Sequence, residues 1–467
     1  ALALALASSV AALPAAAEPR AVYHERCASC HGPARYGGYA PPLIPAALER
    51  KSDGQLVDAI RAGLANTQMP GFAEVLDEPA ARSLVSFLRE PVGTIRWDLD
   101  AIAASRLELP AAAPRIPPEI RRDNLILVVE RGTSSVSVLD GDSLGELDRF
   151  EVGRIHGGPK FDRALRMVFA ATRDGTVVKY DLAHGGLRAK VKVAVNTRNI
   201  AASPDGAFVA AANQLPATLV VLDGALRPQK VFPLPGQPSG VYAVPGRDHF
   251  LLALRDLPRL LRVTFPELEL REVALPEAFE DFTLVPDAKH LVASARGGQQ
   301  LLLYDLDADT VRAALPTQGL PHLFSSCFFE RDGVLHAAFN HIGIPRLSIV
   351  DMRTFGVVTE IPLRGAGYFV RSHAGTPYLW IDTDTPEIQL VEKDSLALLP
   401  QTLTPEVGKK AMHVEFTAEG AWALVSVWHE RGAVVVYDAE SLEEVARLPY
   451  AMPVGKYNAR NKTRLLY

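Results

Sequence analysis

The chain has 467 residues, with 49 Lys and Arg against 54 Asp and Glu and a formal net charge of −5. Charges of both signs run throughout, which argues against a nucleic-acid binder, and the length suits two or more domains. Of the three cysteines, two fall in one short motif, so no intrachain disulfide is expected.

Residues 1–17 are alanine-rich and apolar and end in Ala15-Ala16-Ala17. They read as the remnant of a secretory signal with a small-residue cleavage site, and Pro14 and the short length argue against a membrane anchor. No later segment is apolar for long enough to span a bilayer. A periplasmic location is therefore expected.

Cys27-Ala28-Ser29-Cys30-His31 reads C-x-x-C-H, the attachment site of a c-type haem. Two thiols on one turn add to the two haem vinyl groups, and His31 falls under the iron as proximal ligand. A zinc site would need further Cys or His ligands nearby. The remaining cysteine, Cys327, lies in an apolar strand-like run and is expected to be a buried small residue. Met69, 38 residues after His31 and followed by Pro70, is the candidate sixth ligand. Helices are predicted for 21–30, for 52–63 and for 78–89, the second with a polar cap and a glycine stop. Helix, haem motif, helix, methionine loop, helix is the order of a class I cytochrome c, which residues 18–100 resemble. Residues 107–118, LELPAAAPRIPP, are too proline-rich to continue a helix, so 101–120 is predicted to be a semi-rigid linker.

From 121 to 467 short Val/Leu/Ile strands alternate with Gly, Asp and Pro turns. An apolar run closed by Asp or a substitute recurs at Asp140, Asp181, Asp223, Thr264, Asp305, Asp351, Glu392 and Asp438, spaced 41, 42, 41, 41, 46, 41 and 46 residues apart. A period near 40 built of short strands marks a four-stranded propeller blade. Eight copies predict an eight-bladed β-propeller, with residues 462–467 closing the ring. The fold class is thus a helical cytochrome c domain followed by an all-β domain.

Propeller ligands bind where several blades converge, so repeat phase tests convergence. His156, Arg198 and His413 each lie 25 residues before a marker. His322 and His373 fall in the same region of their blades. Arg131 and Arg173 sit beside turn glycines and, with Arg198, are candidates to neutralise ligand carboxylates.

A class I cytochrome c followed by an eight-bladed propeller resembles the cytochrome cd1 nitrite reductase superfamily. Local matches are Gly153-Arg154-Ile155-His156, Thr172-Arg173-Asp174-Gly175, Thr197-Arg198-Asn199-Ile200, Gly319-Leu320-Pro321-His322, Val370-Arg371-Ser372-His373 and Pro453-Val454-Gly455-Lys456-Tyr457-Asn458. The resemblance implies haem d1 on the propeller and His156 as proximal iron ligand. It implies Arg131, Arg173 and Arg198 on the tetrapyrrole carboxylates, with Tyr457 and Asn458 also cofactor-binding. His322 and His373 match the two distal histidines. Where the reductases more often carry glutamine, this chain has His413, which resembles the branch that completes haem d1 synthesis. That branch implies dihydro-haem d1 as substrate, one propionate becoming an acrylate. The implied roles are His413 as base, His373 as support or second acid/base, His322 as distal iron ligand and haem c as electron exit. A periplasmic c-type cytochrome or other electron acceptor would be the partner, with apo nitrite reductase and other haem d1 biogenesis proteins also implied. Nitrite reduction and simple haem d1 carriage are the rival functions.

Overall fold

The computed structural model describes residues 18–37, 40–49, 51–64, 69–93, 95, 97–111, 113–155, 157–295, 297 and 299–463. The signal-like residues 1–17 and His156 lie outside the described residues. The chain divides into two compact units, Ala1–Ile95 and Arg96–Tyr467.

The first unit is helical. The helix predicted for 21–30 is interrupted at Cys27, giving α1 (Pro19–Arg26) and α2 (Ala28–His31). A short α3 (Pro45–Leu48) follows. The next helix, α4 (Asp53–Ala62), opens on a capping box in which Ser52 and Gln55 exchange side-chain and backbone bonds, and it stops at Gly63, whose φ is +76°. The last, α5 (Glu78–Arg89), is capped by Asp77. Leu56, Val57 and Ile60 of α4 meet Leu84, Val85 and Leu88 of α5 and Val22 and Tyr23 of α1 in one core. Buried Arg35 closes the C-terminal end of α5, its guanidinium donating to the carbonyls of Phe87 (2.6 Å), Leu88 (3.1 Å) and Glu90 (3.1 Å). A cation at exposed C-terminal carbonyls is where the helix dipole favours it.

The second unit is the eight-bladed propeller, its strands forming eight separate sheets. Every repeat marker ends the third strand of its blade, from Ser135–Asp140 to Gly432–Asp438. The marker is Asp because its side chain makes the following turn. Asp140, Asp181, Asp223, Asp305, Asp351 and Asp438 each accept from the backbone N–H two residues on, at 2.8–3.1 Å. Adjacent blades pack face to face through Val, Leu and Ile side chains. One such core joins Leu125 and Val136 of the first blade to Val168 and Tyr180 of the second.

Two expectations are corrected. The ring is closed not by 462–467 but by the strand Pro453–Asn458, which pairs antiparallel with Leu125–Glu130. Of the closing segment expected, Lys462 and Thr463 lie in the helix Ala459–Thr463, and 464–467 lie outside the described residues. The expected linker is also held to the propeller. The helix Leu99–Ser105 buries Ile102 against Val191 and Val193, and Leu107–Glu108 pairs with Leu187–Lys192. Proline excludes helix from the rest of this stretch but does not prevent docking.

Candidate functional site

In the helical unit, Cys30 N donates to Cys27 O at 3.1 Å and His31 N to the same carbonyl at 2.8 Å, so both thiols and the histidine share one turn. The Nδ1 of His31 donates to Pro41 O at 2.7 Å. That bond selects the tautomer whose lone pair is on Nε2, the usual arrangement of a histidine iron ligand. Gly32, at φ +78°, lets the loop double back, since a Cβ there would lie 2.3 Å from Gly37 O. Met69 packs at the edge of the same core as Cys27. Its loop is pinned to the end of α4, where Leu64 N donates to Met69 O at 3.2 Å and Phe72 N to Ile60 O at 3.0 Å. These donors fit a covalent haem c held by Cys27 and Cys30.

In the propeller, the arginines picked by phase and turn position come together and bring others. Arg173 is pushed down to about 9, first by burial and then by Arg198, Arg131, Arg154 and Arg255. Arg198 is lowered by burial and by Arg255. Its Nε donates to Ser239 O at 3.0 Å, and its guanidinium lies 5.5 Å from the Phe324 ring centre. Arg173 and Arg198 thus each lie in the field of other guanidiniums, with Asp281 nearby and Arg255 paired to Glu280 at 3.4 Å. Burial pushes Asp281 up to about 7, against the opposing pull of Arg198. A buried cluster of like charges is unfavourable unless an anion joins it, and a tetrapyrrole with several carboxylates fits this donor set. Arg255 could have been found from the repeat, because it precedes Thr264 by nine residues as Arg131 precedes Asp140.

His322 follows the short strand Leu320–Pro321 and begins the 3-10 turn Leu323–Ser325. Its Nδ1 donates to Tyr368 O at 2.9 Å, again setting the tautomer with the lone pair on Nε2, the form that ligates a metal. Burial lowers its pKa and keeps it neutral. Asp281 holds the turn by accepting from Leu323 N (2.9 Å) and Phe324 N (3.3 Å).

His413 lies in the inner strand Lys410–Phe416 and is buried. Its ring meets Phe369 and Tyr457 edge-on, at centroid distances of 4.8 and 5.4 Å. Burial, then Lys456, Arg371 and Lys462, hold its pKa well below the usual histidine value. Lys456 N approaches Nδ1 at 3.4 Å, the weak limit of a hydrogen bond. Tyr457 seats against the turn that follows His156, where a Cβ on Gly158 would lie 2.7 Å from its ring.

Two expected site residues are placed elsewhere. Asn458 is fully buried and structural: its Nδ2 donates to Asn124 Oδ1 at 3.1 Å and its Oδ1 accepts from Asn461 N, which locks the closing strand. His373 does not join Phe369 and Tyr457. It sits 5.8 Å from the Phe416 ring, at the far end of the strand from Lys410, and accepts from Gly375 N at 3.0 Å. Buried Asp382 and Lys456, both beside His413, are residues that sequence reasoning missed.

The Cytochrome D1 heme domain family matches residues 120–462, and the family of the cbb3-type cytochrome c oxidase subunit III matches 14–88. A dihydro-heme d1 dehydrogenase of Pseudomonas aeruginosa is 39% identical over 99% of this chain and 97% of its own length. The chain belongs to the dihydro-heme d1 dehydrogenase family. The solved structure of dihydro-heme d1 dehydrogenase NirN in complex with DHE is 38% identical, with a TM-score of 0.83, and the match covers 96% of this chain and 100% of that one. A nitrite reductase of Stutzerimonas stutzeri is 21% identical over 100% of this chain and 97% of its own length. His322, His413 and the arginines all lie in the second unit, within the residues that the Cytochrome D1 heme domain family matches. No helix among the described residues is long and apolar enough to cross a membrane.

Proposed function

We propose that this chain dehydrogenates the propionate side chain of dihydro-haem d1 to an acrylate, in the periplasm, during haem d1 synthesis. One observation carries the reading: the Phe369 ring meets both the buried His413, at a centroid distance of 4.8 Å, and the iron-ligand candidate His322, at 6.1 Å. Two C–H bonds on adjacent carbons break, a C=C bond forms, and two protons and two electrons leave. The arginines Arg131, Arg173 and Arg198, with Arg154 and Arg255, bind the tetrapyrrole carboxylates and fix the substrate. His322, through Nε2, and His156 would ligate its iron. His413 takes a side-chain proton on its imidazole, whose Nδ1 accepts weakly from Lys456 N at 3.4 Å. Phe369 and Tyr457 exclude water around the ring.

Haem c, attached to Cys27 and Cys30 with His31 and Met69 as ligands, supplies a one-electron acceptor when bound. A periplasmic c-type cytochrome or similar acceptor would reoxidise it, and the product would pass to apo nitrite reductase or another haem d1 biogenesis protein. A pure carrier would have no use for such a group. The placement of His373 apart from Phe369 and Tyr457 speaks against the nitrite-handling pair of a reductase.

The test is to mix the purified holoprotein with dihydro-haem d1 and follow the absorption spectrum, with a parallel assay of nitrite consumption using a reduced donor. Appearance of the acrylate form without nitrite turnover is expected. Robust nitrite reduction with no change in the tetrapyrrole would overturn the proposal.

A further inference from the structure

His413 stands in a break in its own sheet. In the pairing of Lys410–Phe416 with Trp422–Trp428, Met412 faces Ser426 and Val414 faces Val425, so His413 has no partner in that ladder. Its φ is +48°, in the left-handed region that a residue with a Cβ rarely occupies. A bulge of this kind re-aims a side chain, and the surroundings must hold it there.

Two buried side chains of opposite kind do so. Asp382 Oδ2 accepts from His413 N at 3.2 Å. On the other side of the residue, Lys456 Nζ donates to His413 O and to Ser426 Oγ. Lys456 has no solvent exposure and Asp382 has 1%. Such groups are costly to bury, and a strand needing only its ladder bonds would not require them. Asp382 reaches further. Its Oδ1 accepts from Tyr368 N at 2.6 Å and Phe369 N at 3.0 Å. Tyr368 is the residue whose carbonyl holds His322 Nδ1, and Phe369 is the ring against His413. Gly367 makes room for this, because a Cβ there would lie 2.3 Å from Asp382 Oδ1.

We infer that Asp382 and Lys456 are positioning residues that clamp the two peptide groups of His413, and that Asp382 sets the distance between this base and the iron ligand His322. The inference rests on the dehydrogenase reading and names the device that aligns its two working histidines. Neither residue touches the reacting atoms; Lys456 acts through His413, and Asp382 acts through His413 and, by way of Tyr368, through His322.

Asp382→Asn offers an amide nitrogen where one of the two oxygens must accept. Lys456→Met keeps the bulk and removes the donors. Both are expected to bind dihydro-haem d1 with unchanged affinity and to convert it more slowly, by about 10²-fold for a base displaced by about an ångström. In a His413→Ala background Lys456→Met should cause no further loss. Asp382→Asn should also shift the absorption spectrum of the bound tetrapyrrole, through Tyr368 and His322, whereas Lys456→Met should not. If His413→Ala is slow but Asp382→Asn and Lys456→Met turn over at the wild-type rate, the clamp is wrong and the base reading stands. A Lys456→Met loss that multiplies with His413→Ala would also overturn the clamp. A wild-type rate in His413→Ala would remove the base reading and the clamp together. Should the buried variants not fold, Ser426→Ala, which takes only one partner from Lys456, decides: a slower turnover at unchanged affinity supports the clamp, and an unchanged rate rejects it.

Discussion

Tyr368 and His322 are joined by a 2.9 Å hydrogen bond from the imidazole Nδ1 to the backbone carbonyl. The bond fixes both the ring plane and the tautomer, so Nε2 carries the lone pair. If His322 ligates the iron as proposed, His322→Ala should change the absorption spectrum of bound haem d1 or dihydro-haem d1. An unchanged spectrum would remove His322 from the iron. His156→Ala is expected to change it as well.

His413→Gln keeps a hydrogen-bonding group at the site but cannot take a proton. A general base contributes about 10²–10⁴-fold in rate. Conversion of dihydro-haem d1 should slow by about that factor while the tetrapyrrole still binds. Single-turnover absorption kinetics check this, and a wild-type rate would end the base assignment. The depressed pKa of His413 also has a direction: the neutral ring persists to lower pH than an ordinary histidine's, so the acidic limb of the rate profile should lie below the usual histidine value.

Arg173 tests the anion site through two opposite effects. Its folded-state pKa is lowered, so at neutral pH, below about 9, the charged form carries the full cost of burial and of Arg198, Arg131, Arg154 and Arg255. The stability lost this way returns only as pH rises above about 9. Arg173→Met should therefore leave the tetrapyrrole-free protein at least as stable to heat at neutral pH. A lost charge-assisted bond of about 1.5–3 kcal/mol should weaken tetrapyrrole binding by about 10- to 150-fold. Thermal melts and a binding titration read the two effects separately. Weaker stability with unchanged affinity would make Arg173 structural.

Asp281 gives the fold a pH dependence. Burial raises its folded pKa to about 7 from an ordinary 3.8, against the opposing pull of Arg198 and three backbone N–H groups. For a raised pKa, the folded state holds the proton more tightly than the unfolded one. Its contribution is full below the unfolded value and is lost as pH rises through about 7. Denaturant unfolding of the tetrapyrrole-free protein should show this loss, and Asp281→Asn should flatten it across that window. An equal slope in both proteins would contradict the assignment.

Met69→Ala should abolish the methionine-to-iron charge-transfer band of haem c and leave the covalent haem in place, since Cys27, Cys30 and His31 are untouched. A retained band would mean that another residue is the sixth ligand.

The sequence by itself determined the haem c motif, the helices bounded by Ser52 and Gly63 and by Asp77 and Arg89, and eight blades. Each is written in neighbouring residues: a motif on one turn, a cap and a stop, an Asp that bonds to the backbone two residues ahead. Phase within the repeat also placed Arg198 and His413 on inner strands, because a residue's position in a blade follows from its distance to the marker. Tertiary structure alone decided the rest. Asp382 meets His413 from 31 residues away and Lys456 from 43, and nothing local marks a charged side chain as buried. The closing strand is Pro453–Asn458 because it finds Leu125–Glu130 across almost the whole propeller, and Asn458 is spent on Asn124, 334 residues away. His373 shares a motif with site residues, yet its ring is at Phe416, since its strand carries it toward the Thr417–Gly420 turn. Local bonds repeat and so are legible along the chain; partners brought together only by packing and burial are chosen when the blades close.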